Sequence, residues 1–157
     1  MHTLSTCLWF DDQAEAAVAF YVSLFPGSRI IATKYCPEGG PRPAGSVLTI
    51  QFTLAGTEYL ALNGGPHFAF TPAMSLVAYC DTREEVDALW QKLTEGGEES
   101  PCGWLTDRFG VSWQVVPRLL LKLLDSTDPA ASQRAFAAML QMRKLDMAAM
   151  QQAYDGA

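Results

Sequence analysis

Apolar positions along this chain repeat with two different periods, and the switches between them mark out its elements. "SVLTIQFTL" (46–54) alternates strictly, with Leu48, Ile50, Phe52 and Leu54 on one face and Val47, Thr49, Gln51 and Thr53 on the other. That period of two predicts a half-buried strand. "TEYLALN" (57–63) follows a turn at Ala55-Gly56 and predicts its hairpin partner. Residues 29–35 are rich in β-forming side chains, and a Pro/Gly loop covers 36–45. Two short apolar strands are expected at about 4–10 and 74–80.

Helical spacing takes over after each of those short strands. Ala17, Phe20, Tyr21 and Leu24 make one apolar stripe; Val86, Leu89, Trp90 and Leu93 make another. Asp12-x-x-Glu15 and Thr82-x-x-Glu85 each set a cap oxygen three residues ahead of a glutamate, the pattern that satisfies free amides of a first helical turn. Pro26-Gly27 and Gly96-Gly97 end the helices.

Shifted by 69 residues, "TCLWFDDQAEAAVAFYVSLFPGS" (6–28) lies over "SLVAYCDTREEVDALWQKLTEGG" (75–97), with Asp12 on Asp81, Glu15 on Glu84 and Leu24 on Leu93. The second copy continues through a glycine-rich turn, "CGWLTD", to a strand around Gln114 in "DRFGVSWQVVP" (107–117). The order predicts an α+β fold of two tandem βαβββ modules, the second shorter. They occupy residues 1–117 (1–66 and 72–117), with "GGPHFAFTP" (64–72) as the joint. Beyond Pro117 a helical tail is expected over 118–157, packed on the domain or on a dimer partner. Asp128-Pro129 would start its longer helix as cap and first residue. Phe136, Met139, Leu140, Met142 and Leu145 form its apolar stripe.

Composition then narrows the function classes. With 49% hydrophobic and 18% charged residues, the 157-residue chain can bury a sizeable core. A net charge of −6 argues against nucleic acid, which wants a basic face. No run of about 18 apolar residues predicts a membrane span. The first residues lack the basic and apolar regions of a signal peptide, so a cytoplasmic location is expected. Cys7, Cys36, Cys80 and Cys102 contain no Cys-x-x-Cys pair and read as reduced thiols.

Candidate chemistry is sparse. Cys102 with His67 is the one nucleophile–base combination to weigh against a structural thiol. Asn63-Gly64-Gly65 is either a turn or a set of backbone amides for an anion. Asp107 reads as the cap of its own turn. Gln114, mid-strand between Trp113 and Val115, either points to solvent or lines an internal cavity.

Four blocks, "LWFDDQAEAAVAFYVSLFPGS", "GSVLTIQFTLAG", "ALNGGPHFAFTPAMSL" and "CGWLTDRFGVSWQVVP", resemble in order the PhnB-like family of the vicinal oxygen chelate (glyoxalase and bleomycin-resistance) superfamily. That family often carries the label 3-demethylubiquinone-9 3-methyltransferase. The resemblance covers residues 4–117 and implies a U-shaped mixed sheet and a homodimer. It also implies four metal-ligand positions, which fall here at Ser5, Ala61 (or Leu60, one residue away), Ser75 and Gln114. Only Gln114 could ligate, and one amide with two alcohols is too weak a set for a divalent ion, so no metal or other cofactor is expected. A nucleotide-type methyl-donor site usually needs a strand, a glycine-rich turn and a helix, whereas proline and aromatics follow Gly64-Gly65.

Alternation from those positions implies a cavity lining. Its expected ligand-binding residues are Trp9, Tyr59, Asn63, Ser75, Tyr79, Ser112 and Gln114, with Cys7, Thr49, Gln51, Thr53, Val77 and Val116 on the same faces. Two functions fit. One is a metal-independent small-molecule-binding protein with a neutral, aromatic-lined cavity. The other is an enzyme acting on a small aromatic or quinone-like substrate.

Overall fold

Strict alternation over residues 46–54 does produce a strand, and the elements around it follow the predicted order. The computed structural model describes residues 1–157 and divides into two units, Met1–Ala69 and Phe70–Ala157. Each carries one βαβββ module, and C-terminal helices follow the second.

The first unit contains β1 (Thr6–Phe10), α1 (Ala14–Leu24), β2 (Arg29–Tyr35), β3 (Val47–Leu54) and β4 (Thr57–Asn63). Its mixed sheet has the order β1-β4-β3-β2, with β1 parallel to β4 and the other pairs antiparallel. Ile50, Phe52 and Leu54 of β3 are buried, with Leu8 and Phe10 of β1 and with Ala14, Ala17, Val18 and Tyr21 of α1. The tight turn joining β3 to β4 places both central residues at positive φ, Ala55 at 47° and Gly56 at 88°. That backbone matches the twist of a hairpin; glycine adopts it freely, alanine under some strain.

The turn corrects the expected faces of β4. A two-residue turn pairs Leu54 with Thr57, and therefore Phe52 with Tyr59 and Ile50 with Ala61. Tyr59, Ala61 and Asn63 consequently lie on the helix side, with Phe52 and Tyr59 stacked at 5.5 Å. Leu60 and Leu62 lie on the open side beside Cys7 and Trp9. A shift of one residue moves every side chain to the other face.

Asn63 also corrects the start of α1. Asp12 does not cap this helix; Gln13 occupies the cap position and makes no side-chain cap bond. Instead Asn63 Oδ1 accepts from Ala14 N at 2.9 Å, while its Nδ2 donates to Glu15 Oε1 at 2.8 Å and to Val47 O at 3.0 Å. The strand end supplies the cap that the local sequence does not.

The second unit contains β5 (Leu76–Cys80), α2 (Arg83–Thr94), β6 (Glu98–Glu99), β7 (Trp104–Thr106) and β8 (Ser112–Pro117). Its sheet has the order β5-β8-β7-β6, with β5 parallel to β8. Thr82 and Glu85 form the expected capping box on α2. Val86, Trp90 and Leu93 of α2 are buried, as are Ala78, Cys80, Leu105, Trp113 and Val115 of the strands. The segment expected to be only a glycine-rich turn holds β7, a strand too short for alternation to reveal.

Three helices complete this unit: α3 (Arg118–Leu124), α4 (Pro129–Met139) and α5 (Met147–Asp155). Asp128 caps α4 with Pro129 in its first turn, as expected. The expected longer helix breaks after Met139, and Asp146 caps a separate α5. Its stripe is therefore split. Leu145 is buried and Met139 and Met142 pack on the cluster Val116, Leu120, Leu123, Ala135 and Met150, whereas Phe136 and Leu140 remain exposed. Burying each large apolar side chain of this layer contributes about 1.5–3 kcal/mol.

Candidate functional site

The open face of the second sheet follows from the burial of its other face. On β8, Trp113 and Val115 point to α2, which turns Ser112, Gln114 and Val116 the opposite way. Val77 pairs with Gln114 and Tyr79 with Val116 across β5–β8, and Trp104 pairs with Gln114 across β7–β8. These side chains share one surface.

A buried carboxylate fixes this orientation. Asp107, 3% exposed, accepts from Phe109 N at 2.8 Å, Val111 N at 3.0 Å and Trp113 Nε1 at 2.9 Å. It thus shapes the turn into β8 and anchors Trp113 on the helix side, as the turn reading expected. Gln114, the next residue, must face the other way. Its Nε2 donates to Ser75 Oγ at 3.0 Å.

The C-terminal helices cover part of this face. Between sheet and helices lies a pocket of about 400 Å³, lined by Val77, Tyr79, Cys102, Trp104, Gln114 and Val116 from the module and by Leu120, Leu121, Met139 and Leu145 from the tail. That size and mostly apolar lining fall within the usual range for small-molecule sites. The segment linking α4 to α5 is tied down beside it. Cys102 N donates to Met142 O at 2.8 Å and Gly103 N to Arg143 O at 2.7 Å, while Arg143 Nη1 donates to Glu99 O at 3.0 Å. Cys102 is held at a φ of 62°, uncommon for a side chain larger than glycine.

Of the expected site residues, Tyr79 and Gln114 line this pocket and Ser75 supports Gln114. Ser112 shares their side of β8 but is buried outside the lining. Trp9 lies on the open face of the first sheet, where Nε1 donates to Gly65 O at 2.9 Å and the ring meets Phe68 edge-on at 4.9 Å. Tyr59 and Asn63 lie on the helix side of that sheet, for the register reason given above. Partial burial raises the Tyr59 hydroxyl above its ordinary pKa, since the phenolate would lose hydration. Asn63 ends β4, and Gly64 N and Gly65 N continue its pairing by donating to Phe10 O and Asp11 O, so neither amide is left for an anion and the turn falls later, at Pro66-His67. The sequence reading missed Trp104 and the four tail residues. A Trp104–Gln114 pairing was legible only once β7 was recognised as a strand.

The four inherited ligand positions do not suit a divalent ion. Ser5 Oγ sits 3.4 Å from the Glu58 carbonyl, Ala61 is buried on the helix side, and its alternative Leu60 has no donor atom. Ser75 and Gln114 bond to each other. No group of three or more His, Cys, Asp or Glu side chains is placed to hold a metal ion. Hard or borderline cations need imidazole or carboxylate, so no chemistry is routed through a metal here.

Residues 2–116 match the family model described as 3-demethylubiquinone-9 3-methyltransferase. Among solved structures, a PhnB protein from Bacillus cereus is 38% identical, with a TM-score of 0.67 over 74% of this chain and 99% of that one. A protein from Pseudomonas aeruginosa is 22% identical (TM-score 0.60; 74% of this chain, 98% of that one) and shares the fold. So does a fosfomycin resistance protein, FosX, from Listeria monocytogenes, solved with Mn(II) and a dihydroxypropylphosphonic acid (16% identity, TM-score 0.53; 74% and 92%). No curated protein matches. No helix is long and apolar enough to cross a membrane.

Proposed function

The chain belongs to the PhnB-like, 3-demethylubiquinone-9 3-methyltransferase-labelled family of the vicinal oxygen chelate superfamily, and within it we propose a metal-independent small-molecule-binding protein whose site is the pocket of the second unit. The observation that carries this is the lining. Ten residues surround about 400 Å³, two of them aromatic and none of them charged. Gln114, Tyr79 and Trp104 supply directional contacts, Ser75 steadies Gln114, and the apolar remainder supplies burial.

The family label offers the competing reading, an enzyme acting on a small aromatic or quinone-like substrate. Against it stands the scarcity of acid–base groups: Tyr79 and Cys102 are the only titratable side chains in the lining. The residues after Gly64-Gly65 form no helix, so the strand–turn–helix cradle for a nucleotide-type methyl donor is missing from that loop. Binding for sequestration or sensing asks for no such groups.

A homodimer forms part of this proposal. Val77, Tyr79 and Leu121 at the pocket are 40%, 48% and 41% exposed, an apolar rim that a second copy would cover. Light scattering should give twice 17.2 kDa at micromolar concentration.

Native mass spectrometry of the purified protein tests the function. The expected result is a neutral co-purifying compound that Gln114→Leu loses or binds about 5- to 100-fold more weakly, because a buried polar partner is left unpaired. A stoichiometric transition metal after dialysis, or a ligand bound away from Gln114, would overturn the proposal.

A further inference from the structure

The four tryptophans differ in one respect. Trp9, Trp90 and Trp113 donate their indole N–H to Gly65 O, Glu99 Oε1 and Asp107 Oδ2. Trp104, which lines the pocket, has no protein acceptor for its own. Its direct partner across β7–β8 is Gln114. Because Gln114 Nε2 is committed to Ser75 Oγ, its Oε1 is the free end of the amide and has no protein donor. Side chains directly opposite on neighbouring strands start from Cβ atoms about 4.5–5.5 Å apart. Both residues line the pocket from paired positions, so a donor and an acceptor without protein partners stand on neighbouring strands of its floor.

The opposite wall is of another kind. Leu120, Leu121, Met139 and Leu145 come from the tail, beyond the residues that match the family model. Nothing in the lining is charged. The nearby Arg118 guanidinium lies 5.1 Å from the centre of the Tyr79 ring and is paired with Asp81 at 3.3 Å. An anionic ligand would lose hydration without a free counter-charge.

We propose that the pocket selects a neutral molecule with a carbonyl and an adjacent N–H or hydroxyl on an apolar body. The carbonyl accepts from Trp104 and the donor serves Gln114, while the body packs on the tail's aliphatic and methionine wall. Amides, lactams and hydroxylated carbonyl compounds have this pattern. The tail is then a specificity element, because it supplies the wall that the apolar body meets. This rests on the small-molecule reading above and sharpens it to a ligand class.

Three probes that share one body separate the two halves of the recognition: phenylbutanamide, its methyl ester analogue methyl phenylbutanoate, and the anion phenylbutanoate. Titration by amide chemical-shift changes in the full chain should rank the amide about three- to tenfold tighter than the ester, and the anion weakest, since one hydrogen bond is worth that factor. Gln114→Leu should reduce the amide to the level of the ester without weakening the ester. Trp104→Phe should weaken amide and ester alike, and Met139→Ala should weaken all three. The wild-type ranking tests the idea even if a variant fails to fold. Equal affinities for the three probes, with shifts at Val77, Tyr79 and Trp104, would overturn the ligand class and leave the binding site standing. No shift there with any probe would overturn both.

Discussion

Removing the Asp107 carboxylate tests whether it organises β8 and thereby aims Gln114 at the pocket. Asp107→Ala would strand three donors: Phe109 N, Val111 N and Trp113 Nε1. Each hydrogen bond to a charged acceptor is worth about 1.5–3 kcal/mol, yet the three are not additive. Phe109 N is part-buried and can recover water, so the two buried donors dominate, for a loss of about 3–5 kcal/mol. Asp107→Asn keeps the acceptor oxygen for the two backbone amides but turns an NH₂ toward the Trp113 indole. The cost should be about 2 kcal/mol. With a urea slope of about 2 kcal/mol per molar, the midpoint falls by about 1 M for Asn and about 1.5–2.5 M for Ala. In a Trp113→Phe background the Asn substitution should cost about 1–2 kcal/mol less, because the mismatched indole donor is already gone. A midpoint within about 0.3 M of wild type for Asp107→Ala, or no coupling to Trp113, would refute the reasoning.

Asn63→Ala should lower stability by about 2–3 kcal/mol in urea unfolding, because it removes three hydrogen bonds that join β4, β3 and the start of α1; a loss below about 0.5 kcal/mol would deny its capping role. Thiol labelling of the native protein should reach Cys7 and Cys102 first. Cys36 and Cys80 should need unfolding, since both are buried and the Cys80 thiol is pushed up to about 11 by burial and then by the nearby Glu85 and Asp81 charges. Asp87 Oδ1 accepts from Lys144 Nζ at 2.5 Å, and chiefly this bond holds its carboxyl below the ordinary carboxylate pKa. A depressed folded pKa stabilises above the unfolded value, near pH 4, and the contribution disappears as pH falls through the folded value. Melting temperatures of Lys144→Met and wild type should therefore differ at pH 7 and converge in acid; a constant gap would show that the contact is only packing.

Much of this molecule is written locally. Alternation in residues 46–54 needs no partner to be recognised, because period two is a property of the strand alone. The Thr82–Glu85 box and the Asp128-Pro129 start act within one helical turn and formed as expected. The Asp107 turn was legible for the same reason of short range, whereas Ser75 and Gln114, 39 residues apart, were set on one face only by the family resemblance. The faces of β4 were nearly legible. "TEYLALN" alternates acceptably in either sense, yet the two-residue turn at Ala55-Gly56 already dictated that Tyr59 meets Phe52.

Tertiary structure decided the rest. Asn63 caps a helix that begins 49 residues earlier, a contact that no local pattern encodes. The three-residue β7 exists because β8 offers it a ladder, and only that ladder sets Trp104 beside Gln114. The tail's apolar stripe looked like one continuous helical face, but it breaks where residues 142 and 143 bond to the loop at Cys102 and Gly103. That docking brings Met139 and Leu145 over the open sheet and closes the pocket. Hydrophobic burial is non-directional, so a stripe specifies that a surface will be covered without specifying by what. The covering surface is chosen by the hydrogen bonds and packing of the assembled chain.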